Sequence, residues 1–389
     1  MYKVRTINNI SVAGLNRLPR EHYEVASEMA QPDAILVRSS KLDATDLSDS
    51  LVAIGRAGAG VNNIPLDACS DQGVVVFNAP GANANAVKEL VMAGMLLAAR
   101  NIPAAWNYVR SLDGDGESLE AAVELGKKKF VGSELPNRTL GVLGLGAIGV
   151  KVANAARGLG MNVIGYDPAM TVDRAWQLEA SVKAAHNVDE VLGQADFITL
   201  HVPLLDETRG LINARRISGM RKGVVLLNFS RDGIVVNDDV LSALDSGQLR
   251  GYVCDFPSLQ LIEHPKVVAL PHLGASTDEA QDNCAVMVAE QVRDYLENGN
   301  IRNAVNLPEA VMPRGEGTRL ATVHANVPNM LGQLSTTLAQ ANLNIIDMLN
   351  KSRGSLAYTL VDVEGEVSPE TLDALRTIEG IKRVRIPKP

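Results

Sequence analysis

Three groups of residues in this chain have types and spacings that could do chemistry. Gly144, Gly146 and Gly149 form a G-x-G-x-x-G pattern behind the apolar run 140–143, and Asp167 follows 18 residues after Gly149. In such a pattern the first glycine permits a tight turn. The second lets backbone approach a pyrophosphate, and the third lets a helix close on a sheet. The helix that follows would offer its free amides and positive dipole end to phosphates. Asp167 can accept hydrogen bonds from both ribose hydroxyls and would repel a 2′-phosphate, which favours NAD over NADP. Arg231 lies in the segment NFSRDG (228–233), just after a strand-like run. A guanidinium placed there can hold a carboxylate through two parallel hydrogen bonds. His272, in LPHLGAST (270–277), also follows a strand and precedes a helix. An imidazole in that position can exchange a proton near neutral pH. Taken singly, these are a structural turn, a surface arginine and a hydrogen-bonded structural histidine. Their occurrence together at strand ends argues for catalysis.

The elements that must position these groups are alternating strands and helices. Apolar runs at 34–37, 51–54 and 74–77 recur every 15 to 20 residues or so, the period of βαβ units in a parallel sheet. A helix rich in Ala, Leu and Met is expected at 86–100. A polar interruption follows at 111–118, and Lys127, Lys128 and Lys129 read as a solvated face. A second series begins at 140–143, with a helix at 150–159 and strands at 162–166, 197–200, 224–228, 252–254 and 267–270. Such a series makes a doubly wound sheet. Thr277 is expected to cap a long helix at 277–299, with Asp278 and Glu279 in its first turn. Pro308, Pro313, Gly315 and Gly317 mark a linker. The remainder reads as βαββαβ, a ferredoxin-like unit.

Length and composition agree with this plan. The chain has 389 residues, 46 % of them apolar and 21 % charged, with a net charge of −8. Two or three folded domains are implied. A mildly acidic chain argues against a general nucleic-acid binder. Three cysteines without a C-x-x-C pair exclude a disulfide scaffold and argue against a structural zinc site or any other metal centre. Neither a signal-peptide core nor a membrane-length apolar stretch is present. The expected location is the cytoplasm.

The glycine motif with Asp167, the SRDG segment and PHLGAST together resemble the D-isomer-specific 2-hydroxyacid dehydrogenases. VRSS (37–40) and GRAGAGVNN (55–63) narrow the resemblance to the members that oxidise 3-phosphoglycerate, the first step of serine synthesis. The resemblance implies an α/β architecture in which a Rossmann-type NAD domain (99–282) is inserted in a flavodoxin-like substrate domain (1–98 and 283–312). A C-terminal ACT domain follows (318–389). By resemblance, His272 takes the hydroxyl proton while hydride leaves for NAD, and Arg231 binds the carboxylate. Arg56, Ala57, Gly58 and Asn62 lie on the loop against the substrate carboxylate, with Arg38 and Ser39 near its phosphate. Gly144, Gly146, Ala147, Ile148, Gly149, Asp167, His201, Val202, Pro203, Thr208, Phe229, Ser230, Arg231, Asp255, His272 and Gly274 fall on cofactor-lining positions. His324, Asn326 and Asn344 fall where relatives hold serine as a regulator. The helices at 86–100 and 283–297 would bury a dimer interface, with a tetramer formed through the tail.

Two positions depart from the family. The glutamate expected five residues after Asp255, which hydrogen-bonds the catalytic histidine, is Gln260 here, and Glu263 belongs to the lead-in of the next strand. Ala147 stands where relatives often have an arginine beside the pyrophosphate. Two other readings stay open: a dehydrogenase of another D-2-hydroxy acid, or a non-catalytic NAD-binding regulator on the same scaffold.

Overall fold

In the computed structural model, which describes residues 1–388, backbone contacts divide the chain into two compact units. One comprises residues 1–83 together with the segment from 278 onward, and the other residues 84–277.

The first unit holds a parallel sheet ordered Tyr23–Ala26, Tyr2–Ile7, Ala34–Val37, Ala53–Arg56, Val75–Phe77. Counted along the chain this order is 2-1-3-4-5, the flavodoxin-like arrangement. Leu36, Val75 and Phe77 share a core with Val288, Val292 and Tyr295 of the 21-residue helix Asp278–Asn298.

The second unit is a seven-stranded parallel sheet. Its order is Val267–Ala269, Leu249–Cys254, Val224–Asn228, Phe197–Leu200, Thr139–Leu143, Asn162–Tyr166, Lys183–Ala184. The direction of winding reverses between Thr139–Leu143 and Phe197–Leu200, the switch point at which doubly wound sheets bind ligands. The helix Ala84–Ala99 buries Val87, Val91, Met95 and Ala99 in one cluster with Leu140, Val142, Val225 and Leu227 of this sheet. Its apolar stripe therefore places it with the second unit, so the division falls at 83/84 where the sequence suggested 98/99. The other division falls at 277/278 where 282/283 was expected, because the long helix starts at Asp278. The first turns of that helix belong to the first unit, where Arg38 Nη1 donates to Gln281 Oε1 at 2.9 Å. Residues 111–118 are only in part a polar interruption. Helices Ile102–Arg110 and Gly116–Gly126 flank a short turn, and the Tyr108 hydroxyl joins them by donating to the Ala122 carbonyl at 2.8 Å.

The C-terminal residues form an antiparallel sheet ordered Ile345–Arg353, Leu356–Val363, Thr318–Ala325, Ile381–Arg385. Helices Met330–Gln340 and Pro369–Arg376 cover one face, over Leu320, Val361, Val363 and Val384. This is the expected ferredoxin-like plan. Asn329 adopts φ 63°, the left-handed turn that asparagine tolerates best after glycine. The opposite face of the sheet does not stand apart. Ala321, Val323, Tyr358 and Leu360 join the core of the first unit beside Tyr295 and Leu296. The last four carbonyls of a helix lack intrahelical partners, and cations suit that end. Here arginines supply the donors: Arg385 to Tyr295 and Leu296, Arg314 to Glu297, and Arg319 to Asn298. All three cysteines are buried and free, and no described helix is long and apolar enough to cross a membrane.

Candidate active site

The glycine turn is built by close backbone approach. Gly144 has φ +91°, and a Cβ there would sit 2.5 Å from the His201 carbonyl oxygen. A Cβ on Gly149 would sit 1.9 Å from the Gly144 carbonyl oxygen. Nothing in the protein lies within 4 Å of where a Gly146 Cβ would point. That open space, at the N-cap of helix Ala147–Gly158, is what a pyrophosphate resting on backbone needs. Ala147 and Ile148 form the first turn of this helix.

Asp167 closes the same turn from the end of Asn162–Tyr166. It accepts from the Leu145 amide and from the Ala169 amide, both at 2.8 Å. A carboxylate has about four acceptor positions, so lone pairs remain for two ribose hydroxyls. The donors and the open cradle thus fit NAD. Gly149→Ala is expected to weaken NADH binding by tenfold or more, about 1.4 kcal/mol, because backbone must move to admit the methyl group. Gly158→Ala, at the far end of the helix with open space around it, is the control and should bind NADH normally. Fluorescence titration with NADH measures both.

On the other side of the switch point, the segment from His201 to Thr208 is tied into a compact loop. The Thr208 hydroxyl donates to the Pro203 carbonyl at 2.6 Å and accepts from the Leu205 amide at 2.8 Å. The Ser230 hydroxyl donates to the Val202 carbonyl, joining this loop to the one that carries Arg231. His201 is half-buried, with Nε2 3.0 Å from Thr199 Oγ1, and burial pushes the pKa of the imidazole down. That direction favours the neutral ring.

Arg231 is held by a residue that sequence reasoning passed over. Asn228 is wholly buried; its amide donates to the Arg231 carbonyl at 2.9 Å and its Oδ1 accepts from the Ser230 amide at 3.1 Å. The only sequence signal was an asparagine ending an otherwise apolar strand. Phe229 turns inward, in one cluster with Val91 and Met95. Arg231 itself is exposed, and its Nη1 donates to the Ser230 carbonyl at 2.7 Å.

His272 stands exposed on the loop after Val267–Ala269, its ring edge-on to Phe256 at 5.1 Å between centroids. Asp255, at the end of Leu249–Cys254, is buried, and neither carboxylate oxygen has a hydrogen-bond partner. Burial raises its pKa, while the charge of His272, then its own backbone amide, then the charge of Arg231 pull it back. Asp255 thus feels the charges of both His272 and Arg231, all three lying at the carboxyl ends of adjoining strands. Gln260 and Glu263 both lie exposed on the short helix Leu259–Glu263.

The remaining anticipated residues lie in the first unit. Arg38 and Ser39 follow strand Ala34–Val37, and Arg56, Ala57 and Gly58 end the neighbouring strand Ala53–Arg56, with Val37 paired to Arg56. The Arg38 and Arg56 charges both reach the buried Cys284 and oppose the upward push of burial on its thiol. The two arginines thus stand at the ends of paired strands, both with their charge within reach of Cys284. A Cβ on Gly58 would collide with the Arg56 guanidinium, so only glycine lets that side chain lie over the loop. Asn62 is exposed on the same loop.

His324, Asn326 and Asn344 are not brought together. Asn326 follows Thr318–Ala325, and its amide donates to the Gly354 carbonyl at 3.1 Å. Asn344 precedes Ile345–Arg353, so the length of that strand, about 30 Å, separates the two. His324 is buried between Thr359 Oγ1 and the Ala325 carbonyl, both at 2.8 Å, and Thr359 is in turn 2.8 Å from Asn350 Oδ1. That is a satisfied internal network. Nor is the helix Asp278–Asn298 free for a partner along its apolar face: Cys284, Ala285, Val288 and Val292 are buried within their own unit.

Residues 92–274 match the family described as D-isomer specific 2-hydroxyacid dehydrogenase, NAD binding domain. A D-3-phosphoglycerate dehydrogenase of Bacillus subtilis is 36 % identical over 352 residues, 86 % of this chain and 64 % of that one. One of Haemophilus influenzae is 34 % identical over 354 residues, 88 % of this chain and 82 % of that one. Among solved structures, the NAD+-bound 3-phosphoglycerate dehydrogenase of Entamoeba histolytica superposes with a TM-score of 0.61 at 25 % identity, over 78 % of this chain and 98 % of that one.

Proposed function

The chain belongs to the D-isomer-specific 2-hydroxyacid dehydrogenase family, and on that premise we propose that it oxidises 3-phospho-D-glycerate to 3-phosphohydroxypyruvate with NAD. The observation that carries the reading is the trio of Arg231, His272 and Asp255 at the carboxyl ends of strands in a dinucleotide-type sheet. The cofactor supplies the hydride acceptor. Arg231 clamps the substrate carboxylate and draws charge toward the carbonyl oxygen as it forms. His272 removes the hydroxyl proton, which charges its ring beside the Asp255 carboxylate. Within the first unit, the positive charges of Arg38 and Arg56, at the ends of paired strands, suit a phosphate group. This pair favours a phosphorylated acid over lactate or other simple 2-hydroxy acids.

The test follows NADH loss with 3-phosphohydroxypyruvate, pyruvate and 2-oxoglutarate. Arg38→Ala is expected to raise KM for the phosphorylated acid about tenfold, the value of one charge-assisted contact, and to leave pyruvate unaffected. Equal effects on both would remove Arg38 from the phosphate site. No turnover with any 2-oxo acid would leave an NAD-binding protein without this activity.

Serine regulation through the C-terminal unit belongs to the same proposal. A serine site using Asn326 and Asn344 needs residues from two chains, because one chain holds them apart. Exposed Trp106, Val109 and Leu125 offer an apolar surface for a homodimer, with pairing of the tails giving a tetramer. Inhibition by serine that disappears in Asn344→Ala would support the regulatory role; indifference to serine in the native protein would end it.

A further inference from the structure

We propose that Asp255 orients His272, filling the role that a glutamate at position 260 would otherwise have. The proposal rests on His272 being the proton-transferring group of the dehydrogenase reading. Three observations converge on it. First, the glutamate is absent. Gln260 cannot carry a charge, and both it and Glu263 are exposed on the helix Leu259–Glu263. No side-chain hydrogen bond joins Gln260, Glu263 or Asp255 to His272 among the described residues, and of the three only Asp255 is buried with its charge reaching that ring. Second, the Asp255 carboxylate is buried with both oxygens lacking a hydrogen-bond donor. A buried carboxylate without a strong partner is costly, and a donor that reaches it would relieve that cost. Third, its placement is toward the His272 loop. Asp255 Oδ2 lies 3.9 Å from where a Gly274 Cβ would be, two residues beyond His272, and the ring of the adjacent Phe256 sits edge-on to the imidazole.

The charged groups that reach Asp255 are His272, on the loop after Val267–Ala269, and Arg231, after Val224–Asn228. When His272 gains the substrate proton, its ring becomes a double donor. Asp255 has two free oxygens to receive one of those N–H groups. The carboxylate would fix which ring nitrogen carries the proton in the resting enzyme, as the acid of a Ser-His-Asp triad does, and would stabilise the imidazolium once formed. Asp255 is thus a positioning residue, acting on the reaction through His272.

The test has a readout that needs no turnover. Nitrogen-15 shifts of the His272 ring, assigned with a His272→Gln control, report the tautomer. Native protein is expected to show one tautomer with a hydrogen-bonded N–H, and Asp255→Asn a mixture. In the reductive direction, where His272 must be protonated, Asp255→Asn should move the basic limb of the kcat/KM profile to lower pH by about one unit. Adding Gln260→Glu to Asp255→Asn should restore both signals, whereas Glu263→Gln should change neither. An unchanged tautomer and pH profile in Asp255→Asn would overturn the proposal, including where NADH affinity alone is lost, since that assigns Asp255 to the cofactor only. If Asp255→Asn does not fold, the carbon-13 signal of the native Asp255 carboxyl decides: a shift in the same pH step as the His272 ring supports the pairing, and independent steps refute it. A protein that shows the tautomer effect but reduces no 2-oxo acid would fail the dehydrogenase reading while keeping the Asp255–His272 pair.

Discussion

Replacing His272 with glutamine should lower kcat for 3-phosphohydroxypyruvate reduction by about 10²–10⁴, the usual contribution of a positioned acid–base group. NADH should still bind, because the glycine turn and Asp167 lie on other strands of the sheet. Arg231→Ala should lower kcat/KM by a similar factor, since two charge-assisted hydrogen bonds of about 1.5–3 kcal/mol each are lost. Arg231→Lys should recover little of this. An ammonium keeps the charge but cannot present the parallel donors of a guanidinium. The double variant should be barely worse than either single one, because the two residues act on one substrate and their losses do not add. Steady-state kinetics in both directions, beside NADH titration, separates these outcomes. A His272→Gln enzyme within tenfold of native kcat would mean that the proton comes from elsewhere, and Arg231→Ala with only a raised KM would reduce that residue to a binding role.

The parts of this site that could be read from the sequence are those whose chemistry leaves a local signature. Gly144, Gly146 and Gly149 are legible because each excludes a Cβ for a different steric reason, and the contacts of the turn reproduce two of those reasons directly. Arg231 and His272 are legible because both follow short β-branched apolar runs at the spacing of strands in a parallel sheet. Asn228 and the orphaned Asp255 carboxylate are not, because what distinguishes them is their partners, or the lack of them, across the sheet. The same limit applies to the fold. The strand Tyr2–Ile7 alternates polar and apolar residues, and its central position between Tyr23–Ala26 and Ala34–Val37 is set by pairing alone. The helices flanking the 111–115 turn were masked by glycine and aspartate, which punctuate a loop and a helix start equally well. The regulatory trio shows a different limit. Its residues match motif positions, but nine residues of strand lie between Asn344 and the Asn326 end of the sheet. A motif match says nothing about distance within one chain.

Removing the charge of Arg319 alone, as Arg319→Met, should destabilise the C-terminal sheet by about 3–5 kcal/mol, the range for breaking a buried ion pair. Arg319 is wholly enclosed, and all five of its N–H groups are used. Nε and Nη2 form a fork with Asp362, each bond 2.7 Å. The other donors reach the carbonyls of Asn298 at 3.1 Å, Met312 at 2.8 Å and Pro313 at 2.7 Å. Arg319→Met therefore strands the Asp362 carboxylate and three carbonyls at once. Asp362→Asn leaves the arginine uncompensated and should cost nearly as much. The double variant Arg319→Met with Asp362→Leu should lie much closer to native than either, because an apolar pair of similar volume escapes the desolvation of two charges. The three orphaned carbonyls would keep it from full recovery. Amide exchange in Thr318–Ala325 and Leu356–Val363 reads this locally, which matters because a chain of several domains need not unfold in one step. The pair also decides what kind of module the C-terminal sheet is. Through Arg319, its strands hold the end of the helix Asp278–Asn298 and two linker residues, Met312 and Pro313. If the single variants free the sheet, exchange should rise there while the parallel sheet of the same unit keeps its protection. Equal loosening throughout the first unit would mean instead that Arg319 supports one continuous core, as the shared cluster of Val323, Tyr358, Tyr295 and Val292 already suggests.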